Sequence, residues 1–165
     1  MLKVELHAHT IDDPLDDIPH STPELIDRAA QLGYQAVAIT LHDRQLDVRP
    51  FASYAAERGV TLIPGIERTV EGRHVLLLNF SSATESVQSF DDVARLKSRE
   101  RGIVVAPHAF YPIHSALRSK LDRYAHLFPS ELDALSSALD GLRARIPDDS
   151  LVTPTASGDV VAFET

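Results

Sequence analysis

The chain has 165 residues, of which 44% are hydrophobic and 24% charged, with a formal net charge of −8 and no cysteine. This length fits one domain, no apolar run is long enough to span a bilayer, and the first ten residues lack a signal-peptide pattern. Disulfides are excluded, and the acidic charge disfavours a polynucleotide partner because it repels phosphates. We predict a single-domain, cytoplasmic protein that binds neither nucleic acid nor membranes.

Strand and helix patterns alternate from the start of the chain. Residues 4–7 are β-prone, and IDDPLDDIPH, with two prolines and four aspartates, predicts a loop. Ser21 predicts the N-cap of a helix that ends at Gly33. Residues 36–39 form a continuous apolar run, which is typical of a strand buried on both faces of a sheet.

The same alternation continues through the middle of the chain. The patterns predict a helix at 50–58, strands at 60–67 and 73–80 separated by a turn at Glu71-Gly72, a helix at 89–100 and a strand at 103–106. Strands that alternate with helices favour a parallel α/β sheet or barrel. Helical patterns at 114–127 and 131–143 then precede two weak strands at 150–153 and 159–163.

Metal-binding residue types follow the predicted strands. His7 and His9 lie at the end of the first strand, His42 follows the second, Glu67 ends the third and His108 ends the fifth. The carboxyl ends of parallel strands share one edge, where ligands bind. Two histidines at i and i+2 of a strand point to the same side and can reach one ion. The pattern predicts a metal centre, and its ligand types suit Zn, Mn or Fe.

The remaining histidines have less informative positions. His74 lies at the beginning of the fourth strand, so we expect it at the opposite edge, in a structural role. His114 and His126 fall in a helical pattern after the fifth strand, where exposed or capping roles are commoner. His20 precedes a helix cap, in a loop that could fold over the site, and its role stays open.

Four motifs together resemble the PHP (polymerase and histidinol phosphatase) domain. They are the HxH of VELHAHT, the helix STPELIDRAAQLGYQ leading into AVAITLHD, the PGIE of residues 64–67 and the VVAPH of residues 104–108. The resemblance covers residues 3–128 in the right order and spacing. It implies a distorted TIM-like barrel of seven βα units, one to three divalent metal ions at the strand ends, and hydrolysis of phosphoesters.

The resemblance also implies roles for individual residues. The metal ligands would be His7, His9, His42, Glu67 and His108, with Glu67 bridging two ions. The family has a further loop ligand after the HxH, for which Asp13, Asp16 and His20 compete; we favour Asp16. Arg44 and Arg68 would join Glu67 in the catalytic set by clamping a phosphate, although either arginine could instead orient a neighbouring carboxylate.

The sequence departs from the family in three places. Members of the family commonly have the motif Thr-Asp-His after the second strand, and Leu41 stands here in place of its aspartate. Members with three metal ions have a histidine after the fourth strand, where this chain has Asn79 and Ser81. The family ends its site with an Asp-x-His motif, and none occurs after Phe128. We expect about two barrel strands to be absent near residue 129, naturally or through an omitted segment. Residues 129–165 would then be a closing helix and short strands of a single domain 1–165. An open barrel exposes a sheet edge, which an oligomer or a rearranged C-terminus would cover.

Four functions compete. The first is a metal-dependent phosphoesterase that acts on a small phosphorylated metabolite or nucleotide. A nuclease would use the same chemistry but needs a basic groove, which the sequence does not show. A catalytically impaired metal-binding or interaction module is supported by the missing Asp-x-His. Amide or amine hydrolysis is the fourth, because an HxH on the first strand also opens amidohydrolase sites, but PGIE fits the phosphoesterases better.

Overall fold

The computed structural model describes residues 2–81, 83–108 and 114–116. These residues form a mixed α/β half-barrel, with helices on the outer side of a curled sheet. Its elements are β1 Val4–Ala8, α1 Thr22–Gln31, β2 Ala36–Ile39, α2 Ala52–Ala56, β3 Thr61–Val70, β4 Arg73–Leu78, α3 Phe90–Arg99 and β5 Ile103–Val105. In this part of the chain no helix is long and apolar enough to cross a membrane. The elements expected beyond residue 116 lie outside the described residues.

The sheet has the strand order β1-β2-β3-β4-β5, and β4 runs antiparallel to both neighbours. The expectation of a wholly parallel sheet is therefore wrong at β4. Only Glu71 and Gly72 join β3 to β4, whereas a parallel crossover needs a dozen or more residues. Both residues have positive φ, 47° and 74°, as a two-residue hairpin turn of type I′ requires. The start of β4 consequently lies beside the end of β3.

The two longer helices begin at hydroxyl caps. Ser21 accepts a hydrogen bond from the N–H of Glu24, and the Glu24 carboxylate accepts one from the N–H of Ser21. Ser89 and Asp92 form the same reciprocal box at the start of α3. These boxes satisfy N–H groups that have no partner within the helix, so the sequence fixes where α1 and α3 start.

Apolar side chains cover both faces of the sheet. On the outer face, α1 and α2 pack on β2 and neighbouring strands through Ile26, Ala29, Val37, Ala55 and Val60. Farther along that face, α3 packs on β3, β4 and β5 through Ile66, Val70, Val75, Leu77, Phe90, Val93, Leu96 and Val104. The inner face carries Ala36, Ala38, Ile63, Leu76 and Leu78. Because both faces are covered, β2 is buried at every position, as its apolar run predicts.

An irregularity in β1 sets the direction of its histidines. Ala8 pairs with Ile39 one residue out of step with the pairing at the start of the strand. As a result Leu6 packs in the inner cluster, whereas Ala8 packs in the outer one. A bulge of this kind re-aims the side chains that follow it. His7 and His9, on either side of Ala8, therefore both face inward.

Gly65, in the PGIE segment, lies where β3 is closely approached by its neighbours. A Cβ atom there would lie 2.8 Å from Leu78 Cδ2, 3.0 Å from Thr40 Cγ2 and 3.2 Å from the main-chain oxygen of Ile39. We expect Gly65→Ala to lower the free energy of unfolding by about 1–3 kcal/mol, because the packed neighbours must shift. Chemical denaturation measures this, and an unchanged unfolding midpoint would contradict the close approach.

Candidate metal centre

The carboxylate of Glu67 lies at the centre of the site, with 1% of its side chain exposed. Its Oε2 atom lies 2.9 Å from His7 Nε2, 3.2 Å from His9 Nε2 and 3.4 Å from His42 Nε2. The bulge in β1 and a parallel bridge between His42 and Glu67 produce this convergence. The structure thus brings together four of the residues that the sequence places at one edge.

Glu67 Oε1 has two further histidine neighbours. His108 Nε2, after β5, lies 3.2 Å from it, and His74 Nδ1 lies 2.7 Å from it. The expectation that His74 lies at the opposite edge is wrong, because β4 is antiparallel and begins next to the end of β3. The two-residue turn Glu71-Gly72 was the sequence signal that could have placed His74 here.

Asp13 is the second buried carboxylate of the site, with its side chain fully withdrawn from solvent. Its Oδ2 atom lies 2.7 Å from His9 Nδ1, 3.2 Å from His42 Nδ1 and 2.9 Å from the main-chain N of His42, which donates to it. Oδ1 accepts from the N–H groups of Leu15 and Asp16. Asp13 therefore holds two site histidines and the loop after β1 at once.

The other loop candidates take different positions. The Asp16 side chain is 54% exposed, and its Oδ2 atom lies 3.8 Å from His42 Nδ1. His20 Nε2 lies 3.0 Å from the main-chain oxygen of His9, so it braces the loop. The turn closed by Asp13 directs Asp16 outward, so Asp13 contacts His9 and His42 more closely than the favoured Asp16 contacts His42.

The two arginines considered as phosphate clamps have other partners in the structure. Arg68 follows Glu67 in β3 and so points to the opposite face, where it donates to Asp43 Oδ1 at 2.5 Å and to the main-chain oxygen of Val87 at 2.7 Å. Arg44 is exposed and donates to the main-chain oxygen of Asp12 at 3.2 Å. The orienting role, left open as an alternative, describes Arg68 better than a clamp does.

The surroundings of the two carboxylates keep both of them ionised. Burial alone would raise the pKa of Glu67, but hydrogen bonds from the imidazoles outweigh burial and hold that pKa far below 4.5. Burial would also raise the pKa of Asp13. Hydrogen bonds from His9 and from three main-chain N–H groups outweigh this effect of burial and hold the pKa of Asp13 well below 3.8. Burial lowers the pKa of His108, whereas in His9 the bonds to both carboxylates overcome burial and raise the pKa above 6.5.

The donor set fits divalent metal ions. His7 Nε2 and His9 Nε2 lie 3.0 Å apart. Because two N–H groups cannot point at each other at this distance, at least one of the two nitrogens presents a lone pair. Among the described residues, His108 Nδ1 is buried without a hydrogen-bond partner. In the part of the chain that the structure describes, three groups have ligand atoms within 4.8 Å of one another: His7, His9 and Glu67; His9, Asp13 and His42; and His42, Glu67 and His74. Histidine nitrogens mixed with carboxylate oxygens suit Zn, Mn or Fe.

Fold and site together define a mixed α/β half-barrel with overlapping histidine and carboxylate clusters at one edge of its sheet, able to hold metal ions. The profile of the PHP domain family matches residues 5–146, and the chain belongs to that family.

Two known proteins show how far the similarity extends. The PolC-type DNA polymerase III of Caldanaerobacter subterraneus subsp. tengcongensis is 47% identical over 66 residues, which are 39% of this chain and 5% of that protein. A solved amidohydrolase from Chromobacterium violaceum, with bound sulfate and no metal, has 31% identity and a TM-score of 0.41, covering 58% of this chain and 32% of that one. The chain thus matches a minor part of the length of each.

Proposed function

We propose that the protein hydrolyses a phosphoester of a small phosphorylated metabolite or nucleotide, with divalent metal ions held at the Glu67 site. The observation that carries the proposal is the buried Glu67 carboxylate, which has five histidine nitrogens within 3.4 Å. The resemblance of the sequence to PHP phosphoesterases supports the type of bond, and membership of the PHP family supports a metal-dependent hydrolase in general.

The residues of the site would hold the metal ions and orient one another. His7, His9, His42, His74, Asp13 and Glu67 would hold the ions, and His108 faces the same carboxylate. Bound divalent ions would lower the pKa of a water molecule and neutralise charge on phosphoryl oxygens. In a neutral His9 ring that donates its Nδ1 hydrogen to Asp13, the Nε2 lone pair would be directed toward the side of Glu67. Asp13 also contacts His42 through its carboxylate. Leu41, which stands in place of the family's aspartate beside His42, has no carboxylate to offer.

The net charge of −8 supports a small substrate over a polynucleotide, whose phosphates the protein repels at long range. Polymerase activity does not transfer from the PolC-type relative, because the match covers 5% of that protein. An oligonucleotide and an amide nevertheless belong in the substrate panel, since a nuclease and an amide hydrolase use related metal sites.

Turnover on a defined panel tests the proposal. We expect protein loaded with Zn, Mn or Fe to hydrolyse an aryl phosphate or a nucleoside monophosphate and to lose this activity in chelator. His7→Ala should lower kcat/KM by more than about 100-fold, because even residues one contact away from a metal contribute about 10–100-fold. The matched control is His114→Ala, an exposed histidine outside the three clusters, which should leave kcat/KM unchanged.

Four other outcomes would contradict the proposal, each in a different way. Bound metal without turnover on any ester favours a metal-binding module. Cleavage of the oligonucleotide alone favours a nuclease, and cleavage of the amide alone favours amide hydrolysis. Retained activity in His7→Ala would remove the Glu67 site from the mechanism.

A further inference from the structure

The hydrogen-bond ladder between β2 and β3 continues past the end of β2 through Asp43. Glu67 N donates to the main-chain oxygen of Leu41 at 3.0 Å, and Asp43 N donates to that of Glu67 at 2.9 Å. The next donor of β3 in this ladder, Thr69 N, reaches the side-chain Oδ1 atom of Asp43 at 2.7 Å. Asp43 has a φ of 51°, so its main chain leaves the strand direction. Its carboxylate takes the place where a continuing strand would offer a carbonyl oxygen.

Two side chains also donate to this carboxylate. Thr69 Oγ1 donates to Oδ2 at 2.8 Å, and Arg68 Nη1 donates to Oδ1 at 2.5 Å. Arg68 is in turn held by the main-chain oxygen of Val87, before α3. The Asp43 and Arg68 side chains are only 32% and 17% exposed, so water competes for these bonds less than at an open surface. Three donors therefore fix one carboxylate.

These contacts connect Asp43 with three residues of the site. His42 precedes it in the chain, and the main chain of Glu67 is bonded to it. Thr69 lies directly opposite His74 in the register of β3 and β4. We propose that Asp43 is a positioning residue, whose carboxylate holds the end of β3 so that Glu67 and His74 meet His42 in a metal-binding arrangement. The inference rests on the metal binding of the proposed function and is independent of the substrate.

Zinc affinity of an Asp43 variant tests the proposal. Asp43→Asn keeps the size of the side chain and tolerates positive φ, but it removes the negative charge that faces Arg68 and replaces one of the two acceptor oxygens by an NH₂ group. We expect the affinity for Zn²⁺, measured by competition with a chromophoric chelator, to fall about 10–100-fold. The matched control is Asp47→Asn in the same loop. Asp47 is 51% exposed and binds Arg49, so the control should keep the wild-type affinity.

A second variant separates positioning from a general loss of stability. Thr69→Val removes only the Oγ1 donor, and we expect a smaller loss of Zn²⁺ affinity. In the double variant with Asp43→Asn, Thr69→Val should lower the Zn²⁺ affinity by less than it does alone, because both changes break the same contact. Titrations are made where denaturation in chelator shows that every variant is folded.

Unchanged Zn²⁺ affinity in folded Asp43→Asn would overturn the proposal. If either substitution lowers the affinity, full additivity of their effects on Zn²⁺ binding in the double variant would overturn it as well. If Asp43→Asn does not fold, unchanged affinity in Thr69→Val overturns it instead. Wild-type protein that binds Zn²⁺ but hydrolyses no ester contradicts the proposed phosphoesterase function alone, since the affinity ratios of the variants do not depend on turnover.

Discussion

Glu67→Gln is expected to reduce metal affinity and kcat/KM by more than about 100-fold each, the largest effect of any single substitution in the site. The carboxylate belongs to two of the three clusters, one with His7 and His9 and one with His42 and His74. Glutamine has nearly the same shape, but it carries no charge and presents an NH₂ group where an oxygen now faces imidazole nitrogens. One substitution therefore weakens two candidate ion positions.

The same substitution should also affect the metal-free protein. Because the pKa of Glu67 is held far below 4.5, its ionised form stabilises the fold at neutral pH, and this contribution is lost as pH falls through the pKa of the folded state. In chelator at pH 7 we expect Glu67→Gln to lower the free energy of unfolding by roughly 1–3 kcal/mol. Glu57→Gln, at an exposed position directly after α2, is the control. Metal affinity within about threefold of wild type would show that Glu67 is not a ligand.

Asp13→Asn and Asp16→Asn form a matched pair with opposite expected results. Asp13 is buried and accepts from His9, from His42 and from two loop N–H groups. An amide in its place sets an NH₂ group against existing donors, and we expect metal affinity to fall about 10–100-fold or more. Asp16 contributes one exposed, 3.8 Å ion pair with His42. Such pairs contribute at most about 1 kcal/mol, so Asp16→Asn should change affinity less than about fivefold.

Metal titration of the two variants at equal ionic strength decides between the loop aspartates. A larger loss in Asp16→Asn than in Asp13→Asn would mean that the loop rearranges when metal binds, and it would return Asp16 to the ligand set that the sequence favoured. Equal, small losses would remove both aspartates from the metal centre.

Much of the half-barrel follows from local sequence signals. Ser21 with Glu24 and Ser89 with Asp92 mark the helix starts, and the apolar run of β2 marks a strand buried on both faces. These signals act within a few residues, which is why they are readable without the fold. The i, i+2 spacing of the first two histidines also correctly placed them on one side of β1.

Features that depend on contacts between distant segments were harder to predict. The inward direction of His7 and His9 depends on a bulge, which is defined only by the pairing of β1 with β2. The alternating pattern predicts the wrong edge for His74, because a two-residue turn makes β4 antiparallel to β3. The burial of Asp13 depends on the fold of a loop whose four aspartates look equivalent in the sequence.

The most direct test of the central claim is a crystal structure of the protein grown with Zn²⁺ or Mn²⁺, with data collected for anomalous scattering from the metal. The account predicts at least one anomalous peak about 2.0–2.3 Å from a ring nitrogen of His7 or His9 and from a carboxylate oxygen of Glu67. Peaks confined to exposed histidines, with the Glu67 carboxylate still hydrogen-bonded only to imidazoles, would contradict it.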